Sequence, residues 1–279
     1  MKTFIALLVL AFASVTFAAE PAKKEEKKDD TKIEISAFSD PTKTYDEAQI
    51  FRFGPEARQM DILKIIDPLT KQKDINAGRW ISLNAPFPIP DLDNKDSDGQ
   101  PIMYPSIEHY LAAMKFAHTS NKADLAISLM STSGSIHQKY ALERRQKSIK
   151  VGSESPKDYE LLDKEIDDVK RAMTKQYLNR FKVIFDENKW NRPLAADDPL
   201  SFRDRVLMDA LIYRWEHDER FRRIIEAARE QNKYLLYSVG AKSSDSEFAG
   251  AREMTGPQKG RIKGGNKVGI FIMKIAGFK

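Results

Sequence analysis

The chain has 279 residues, 46 Lys and Arg against 41 Asp and Glu, a formal charge of +5 and no cysteine. That length suffices for a buried core, and the missing cysteines exclude a disulfide framework, a thiolate metal site and a cysteine nucleophile. Acids and bases so evenly interleaved do not make the basic surface of a nucleic-acid binder.

Residues 1–18 read as a secretory signal. Lys2 supplies the positive start, Phe4 to Phe12 an apolar run, and Thr16 and Ala18 the small residues before a cut after Ala18. A retained N-terminal anchor is the alternative. No later apolar run approaches the roughly 18–20 residues that a membrane span needs. Residues 19–32 follow as a charged linker, with AKKEEKKDDTK over Ala22–Lys32. It has no large apolar residue to offset its ordering entropy, so disorder is expected.

Residues 33–279 read as one α+β domain, mainly helical with a small sheet. Ile33–Ile35, Ile50–Phe53, Trp80–Leu83 and Tyr234–Tyr237 are short candidate strands. Val268–Met273 reads as another, although it also suits a helix start. Pro86, Pro88 and Pro90 impose an extended run, and Asp91–Gly99 is a polar loop. Ser106 is a candidate N-cap for a helix with Ile107, Tyr110, Leu111 and Met114 on one face. Asp158–Phe185 carries apolar residues at helical period and predicts one long helix, with coiled-coil pairing as an alternative. Its polar, proline-bearing flanks mark 148–199 as a helical insertion that could dock a protein partner. Asp204–Gln231 predicts a third long helix.

Most chemical motifs fail on inspection. Asn94, Asp96 and Asp98 mimic a calcium loop, but Pro105 stands where its bidentate Glu belongs. Gly260 and Gly265 have P-loop spacing, but Asn266 replaces the Lys. His109, His118, His137 and His217 never fall four apart, so no helix offers a zinc pair. No metal or cofactor is called for.

One helix face survives. At about 100° per residue, Lys115 returns to within roughly 20° of Glu108, about 10 Å further along. Small Ala112 between them leaves a hollow, and a carboxylate and an amine at one hollow can serve as acid, base or nucleophile. A solvated ion-pair face is the plainer reading of that spacing.

Tyr104-Pro-Ser-Ile-Glu-His-Tyr-Leu-Ala-Ala-Met-Lys-Phe116 resembles the signature of the NADAR superfamily, which includes the riboflavin-intermediate N-glycosidases. Further blocks follow in the family's order: Ile50–Phe53, Ser82–Asn84 with Phe87, Arg203–Ile225, Asp245–Gly250 and Gly265–Gly269. The resemblance runs from about Ile50 to Gly277, leaving 148–199 unmatched. It implies a compact α+β fold whose pocket cleaves the C1–N bond of a phosphorylated riboside or an ADP-ribosyl adduct. Carried over by position, Glu108, Lys115 and Asp245 become catalytic. Asn84, Arg145 (or its neighbour Arg144), Phe248, Gly265 and Asn266 bind substrate. Lys259, Arg261 and Lys263, with Arg145, would hold phosphate. Four positions depart from the pattern: no tryptophan precedes the third long helix, Tyr237 stands where a carboxylate is usual, Phe248 or Ala249 replaces the loop tryptophan, and Arg214-Trp215 replaces a Lys-Phe pair. These departures keep a second expectation open, a catalytically inactive binding or assembly protein on the same scaffold.

Overall fold

The computed structural model describes residues 40, 42–55, 57, 76–152, 155–193, 195–240 and 245–278. The signal reading of 1–18, the linker 19–32 and the strand Ile33–Ile35 lie outside the described residues. Strand β1 (Ile50–Phe53) forms at the expected place. Helix α1 (Ala77–Trp80) follows in the described residues, then a series of turns to Pro86. The expected strand Trp80–Leu83 is therefore absent. Its Trp80 and Ser82 carbonyls accept from the buried Arg214 guanidinium, so they are not offered to a neighbouring strand.

Strands β2 (Ile89–Lys95) and β3 (Pro101–Tyr104) form an antiparallel hairpin. It reaches into the run read as loop. The Asp96 carboxylate closes its turn by accepting from the Asp98 and Gln100 N–H groups, both at 2.9 Å.

Helix α2 (Ile107–Thr119) starts where the cap predicts, with Ser106 Oγ accepting from His109 N. Helices α3 (Asp124–Met130) and α4 (Ser135–Gln146) lead to α5 (Pro156–Ala172) and α6 (Lys175–Arg180). The single helix expected over Asp158–Phe185 is thus two. Thr174 leaves the helical conformation, and its side chain caps α6 at Tyr177 N. The apolar stripe of α5 is spent on the chain's own core: Leu161, Leu162, Ile166 and Val169 are buried. That stripe is therefore not open to a partner.

After α7 (Glu187–Asn191), the third expected helix is also broken, into α8 (Phe202–His217) and α9 (Glu219–Glu230). Asp218 sits between them, accepting from Phe221 N at 2.9 Å and from Arg214 Nε at 3.0 Å. Strand β4 (Tyr234–Tyr237) pairs in parallel with β1, Ile50 opposite Tyr234 and Phe53 opposite Tyr237. A parallel pair needs cover on both faces, which explains why all of Tyr234–Tyr237 is buried. A small antiparallel pair, β5 (Ala251–Arg252) and β6 (Ile262–Lys263), precedes α10 (Lys267–Ile275). Val268–Met273 is therefore helix, not strand. Its residues are apolar all round because α10 is enclosed, packed on β4 and α8.

The described residues are mixed α+β, mainly helical with two-stranded sheets, and belong to one compact unit. One apolar core surrounds β1 and β4, and a second lies among α2, α3, α5, α7 and α8. No helix among the described residues is long and apolar enough to cross a membrane.

Candidate active site

The β1–β4 pair creates the site. Just past β1, Gly54 has φ +143° and lies so close to β4's continuation that a Cβ would stand 2.0 Å from Ser238 O. Only glycine allows that approach. Ser238 N donates to Phe53 O at 2.8 Å, and the two chains leave the sheet side by side. Pro55 and Val239 then form one wall of a recess of about 540 Å³. Ligand sites of parallel strands characteristically lie beyond their carboxyl ends, as here.

Asn84 forms the second wall. Arg214, fully buried on α8, donates Nη1 to Ser82 O at 2.8 Å and Nη2 to Trp80 O, and so fixes the turn that carries Asn84. The Asn84 Oδ1 is buried with no hydrogen-bond partner among the described residues. An unmet acceptor in a recess wall is costly to leave so, and it is characteristic of functional sites.

Helix α5 supplies the third wall with Asp163, Ile166, Asp167 and Lys170, one helical face at steps of three and four residues. Arg79 Nη2 holds Asp163 Oδ1 at 2.7 Å, and its guanidinium stacks 4.1 Å above the Tyr159 ring. These contacts fix α5 against α1.

Glu108 adjoins Asn84, since its backbone N–H donates to Leu83 O at 3.2 Å. Among the described residues its carboxyl makes no hydrogen bond or ion pair. Burial raises its pKa from the ordinary value, while the charges of Lys170 and His109 draw it partway back. Tyr237 lies in the same field, its phenol pushed up first by burial and then by the Glu108 charge. Asn84 and Lys170 line the recess; Glu108 lies outside that lining but within the electrostatic reach of Lys170, and the buried Tyr237 within that of Glu108.

Beneath the recess, a buried polar chain ties α2, α4 and α5 together. Ser106 Oγ lies 2.9 Å from His109 Nδ1, and His109 Nε2 lies 3.3 Å from Glu165 Oε1. His137 Nδ1 meets the same oxygen at 2.7 Å, and Arg144 reaches Glu165 Oε2 at 2.9 Å and Asp158 Oδ1 at 3.0 Å. Burial opposes a charge on Glu165, but the hydrogen bonds and charges of the two histidines prevail and hold it at about 2. The serine–histidine–carboxylate order resembles a hydrolytic relay. Here, however, Ser106 and His109 are fully buried and the hydroxyl caps α2. No electrophile reaches it, so the chain is structural.

Of the expected site residues, Asn84 alone lines the recess among the described residues; Glu108 adjoins it through Leu83 and lies in the field of Lys170. Lys115 Nζ pairs with Glu187 at 2.7 Å and sits 4.9 Å from the Phe185 ring, outside the recess lining. One helical face is shared, but 10 Å of axial rise lets α7 claim the amine. Asp245 is exposed on its loop and Arg145 is exposed on α4; neither lines the recess. Phe248 does not line the recess, and the Arg203 guanidinium lies 4.4 Å from its ring. Gly265 permits a backbone approach, since a Cβ would stand 2.1 Å from Glu247 O. Asn266 is a clamp on β4: its Oδ1 accepts from Tyr237 N at 2.9 Å, and its Nδ2 donates to Leu235 O at 2.8 Å and Tyr234 OH at 3.1 Å. Nothing of its side chain is left for a substrate.

Sequence reasoning missed Asp163, Asp167 and Lys170. Their steps of four and three were visible, but such a stripe looks like any solvated helix face. No family model, no curated protein and no solved structure matches the chain.

Proposed function

We propose that this protein hydrolyses the C1–N bond of an N-riboside in the Asn84 recess, with Glu108 as the acid. The observation that supports this reading is the Glu108 carboxyl: its pKa is raised, it has no hydrogen-bond partner among the described residues, and it lies in the field of Lys170, which lines the recess. Raised carboxyls stay protonated where ordinary ones do not, as a general acid requires. Glu108 gives its proton to the leaving nitrogen as the C1–N electron pair moves onto that atom. Asp167 offsets positive charge developing at C1. Water adds to C1, and its proton returns to Glu108.

The purified protein is expected to release free base from a panel of N-ribosides. Glu108→Gln should lower kcat by about 10²–10⁴-fold, while Lys115→Ala should leave it within about twofold. The rate should fall as pH rises through the raised Glu108 value, and this limb should vanish in Glu108→Gln. No release, or equal rates in wild type and Glu108→Gln, would sink the proposal.

Tyr237 supports a second reading. It stands where the NADAR resemblance implies a carboxylate, and it lies in the field of Glu108. A recess so altered suits a binding protein that holds a riboside without cleaving it. Saturable binding with an unchanged ligand after prolonged incubation would favour this reading. The leader reading of 1–18 places either activity in the secretory pathway; a mature chain beginning at Ala19, seen by N-terminal sequencing, would support it.

A further inference from the structure

The chemistry of the recess narrows its substrate. We infer that it takes an uncharged ribosyl group, so that an N-riboside without a 5′-phosphate is preferred to its phosphorylated counterpart. This rests on the proposed C1–N cleavage.

The argument is one of donors and acceptors. The recess and its rim offer acceptors: Asn84 Oδ1 without a partner, and the carboxylates of Asp163 and Asp167. Asp163 is already matched by Arg79, which leaves Asp167 and Lys170 as opposite charges three residues apart on α5. Ribose hydroxyls donate hydrogen bonds and meet such acceptors well. A 5′-phosphate removes the 5′-hydroxyl donor and brings about two negative charges, so it meets repulsion from Asp167 and adds no donor for Asn84.

A phosphate would need cations or free N–H groups. Among the described residues, Lys170 is the one basic residue of the lining. The basic residues that the resemblance offers for phosphate lie elsewhere. Arg145 is exposed on α4, and Lys263 is paired with Glu253 at 3.0 Å. The first turn of α2 is also spent, because Glu108 N–H donates to Leu83 O and His109 N–H donates to Ser106 Oγ. The usual anion seat at a helix start is therefore closed.

The test compares inosine and nicotinamide riboside with their 5′-monophosphates, using the full-length purified protein. The expected result is a kcat/KM at least about tenfold higher for the unphosphorylated member of each pair. Asp167→Lys should shrink or reverse that ratio. Equal or better turnover of the monophosphates overturns the inference while leaving C1–N cleavage intact. If neither member is cleaved, the cleavage reading fails, and titration calorimetry with ribose and ribose 5-phosphate decides the recess itself. Tighter binding of ribose, lost in Asp167→Lys, supports the inference. Tighter binding of the phosphate, or binding of neither, ends it.

Discussion

Arg214 is a charge placed where water cannot reach it. Burial presses its pKa down, and Asp218 opposes that through charge and hydrogen bond. Removing one partner strands the other, which is far more damaging than never having built the pair. Arg214→Met should therefore lower stability by about 3–5 kcal/mol, read as a fall in the urea midpoint. Asn84 makes the opposite case. Its Oδ1 has no donor to lose, so Asn84→Ala should shift stability by less than about 1 kcal/mol. The same substitution should weaken riboside binding, measured by calorimetry. A large loss of stability in Asn84→Ala would show that the residue is structural, as Asn266 is.

At the scale of elements, α5 decides the site and Glu165 decides how α5 is held. The Glu165 value of about 2 lies below its ordinary 4.5. A group lowered on folding stabilises the fold above its unfolded value and loses that contribution as pH falls through the folded one. About 3 kcal/mol should therefore disappear between pH 4.5 and pH 2. Denaturant titrations across that range should show the slope, and Glu165→Gln should flatten it at a lower overall stability. The sequence made α2 legible because its signals are local: Ser106 caps, and the apolar residues keep helical period. The breaks at Thr174 and Asp218 were hidden, since apolar period continues across both and only a side-chain cap marks the corner. The run Val268–Met273 was ambiguous because apolar residues on every side suit a buried strand and a buried helix equally. Of the site, Glu108 was readable from its helical spacing to Lys115, and Asn84 only through the family resemblance. The α5 stripe was not, because which face of a polar helix meets a cavity depends on contacts made far away in sequence.

At the scale of the molecule, the segment 148–199 is not an appendage. Val169, Ala172, Val183 and Trp190 share a core with Met114, Phe116 and Met130. Each large apolar side chain buried there contributes about 1.5–3 kcal/mol, and together they exceed what a small protein holds in reserve. Replacing 148–199 with a short linker should abolish the cooperative thermal transition. A deletion that melts like the full chain would restore the view of an inserted module.

The parallel pairing of β1 with β4 has a further consequence, in time. The two strands are distant in sequence, Ile50 pairing with Tyr234, and entropy must be spent on closing about two thirds of the polypeptide before they reward it. During synthesis, Tyr234 leaves the ribosome after almost everything else has emerged. The helices before it can collapse early, but the recess past Gly54 cannot exist until β4 docks on β1. A nascent or clipped polypeptide would thus be well ordered in its helical part and still inert, and competence would arrive in one late step.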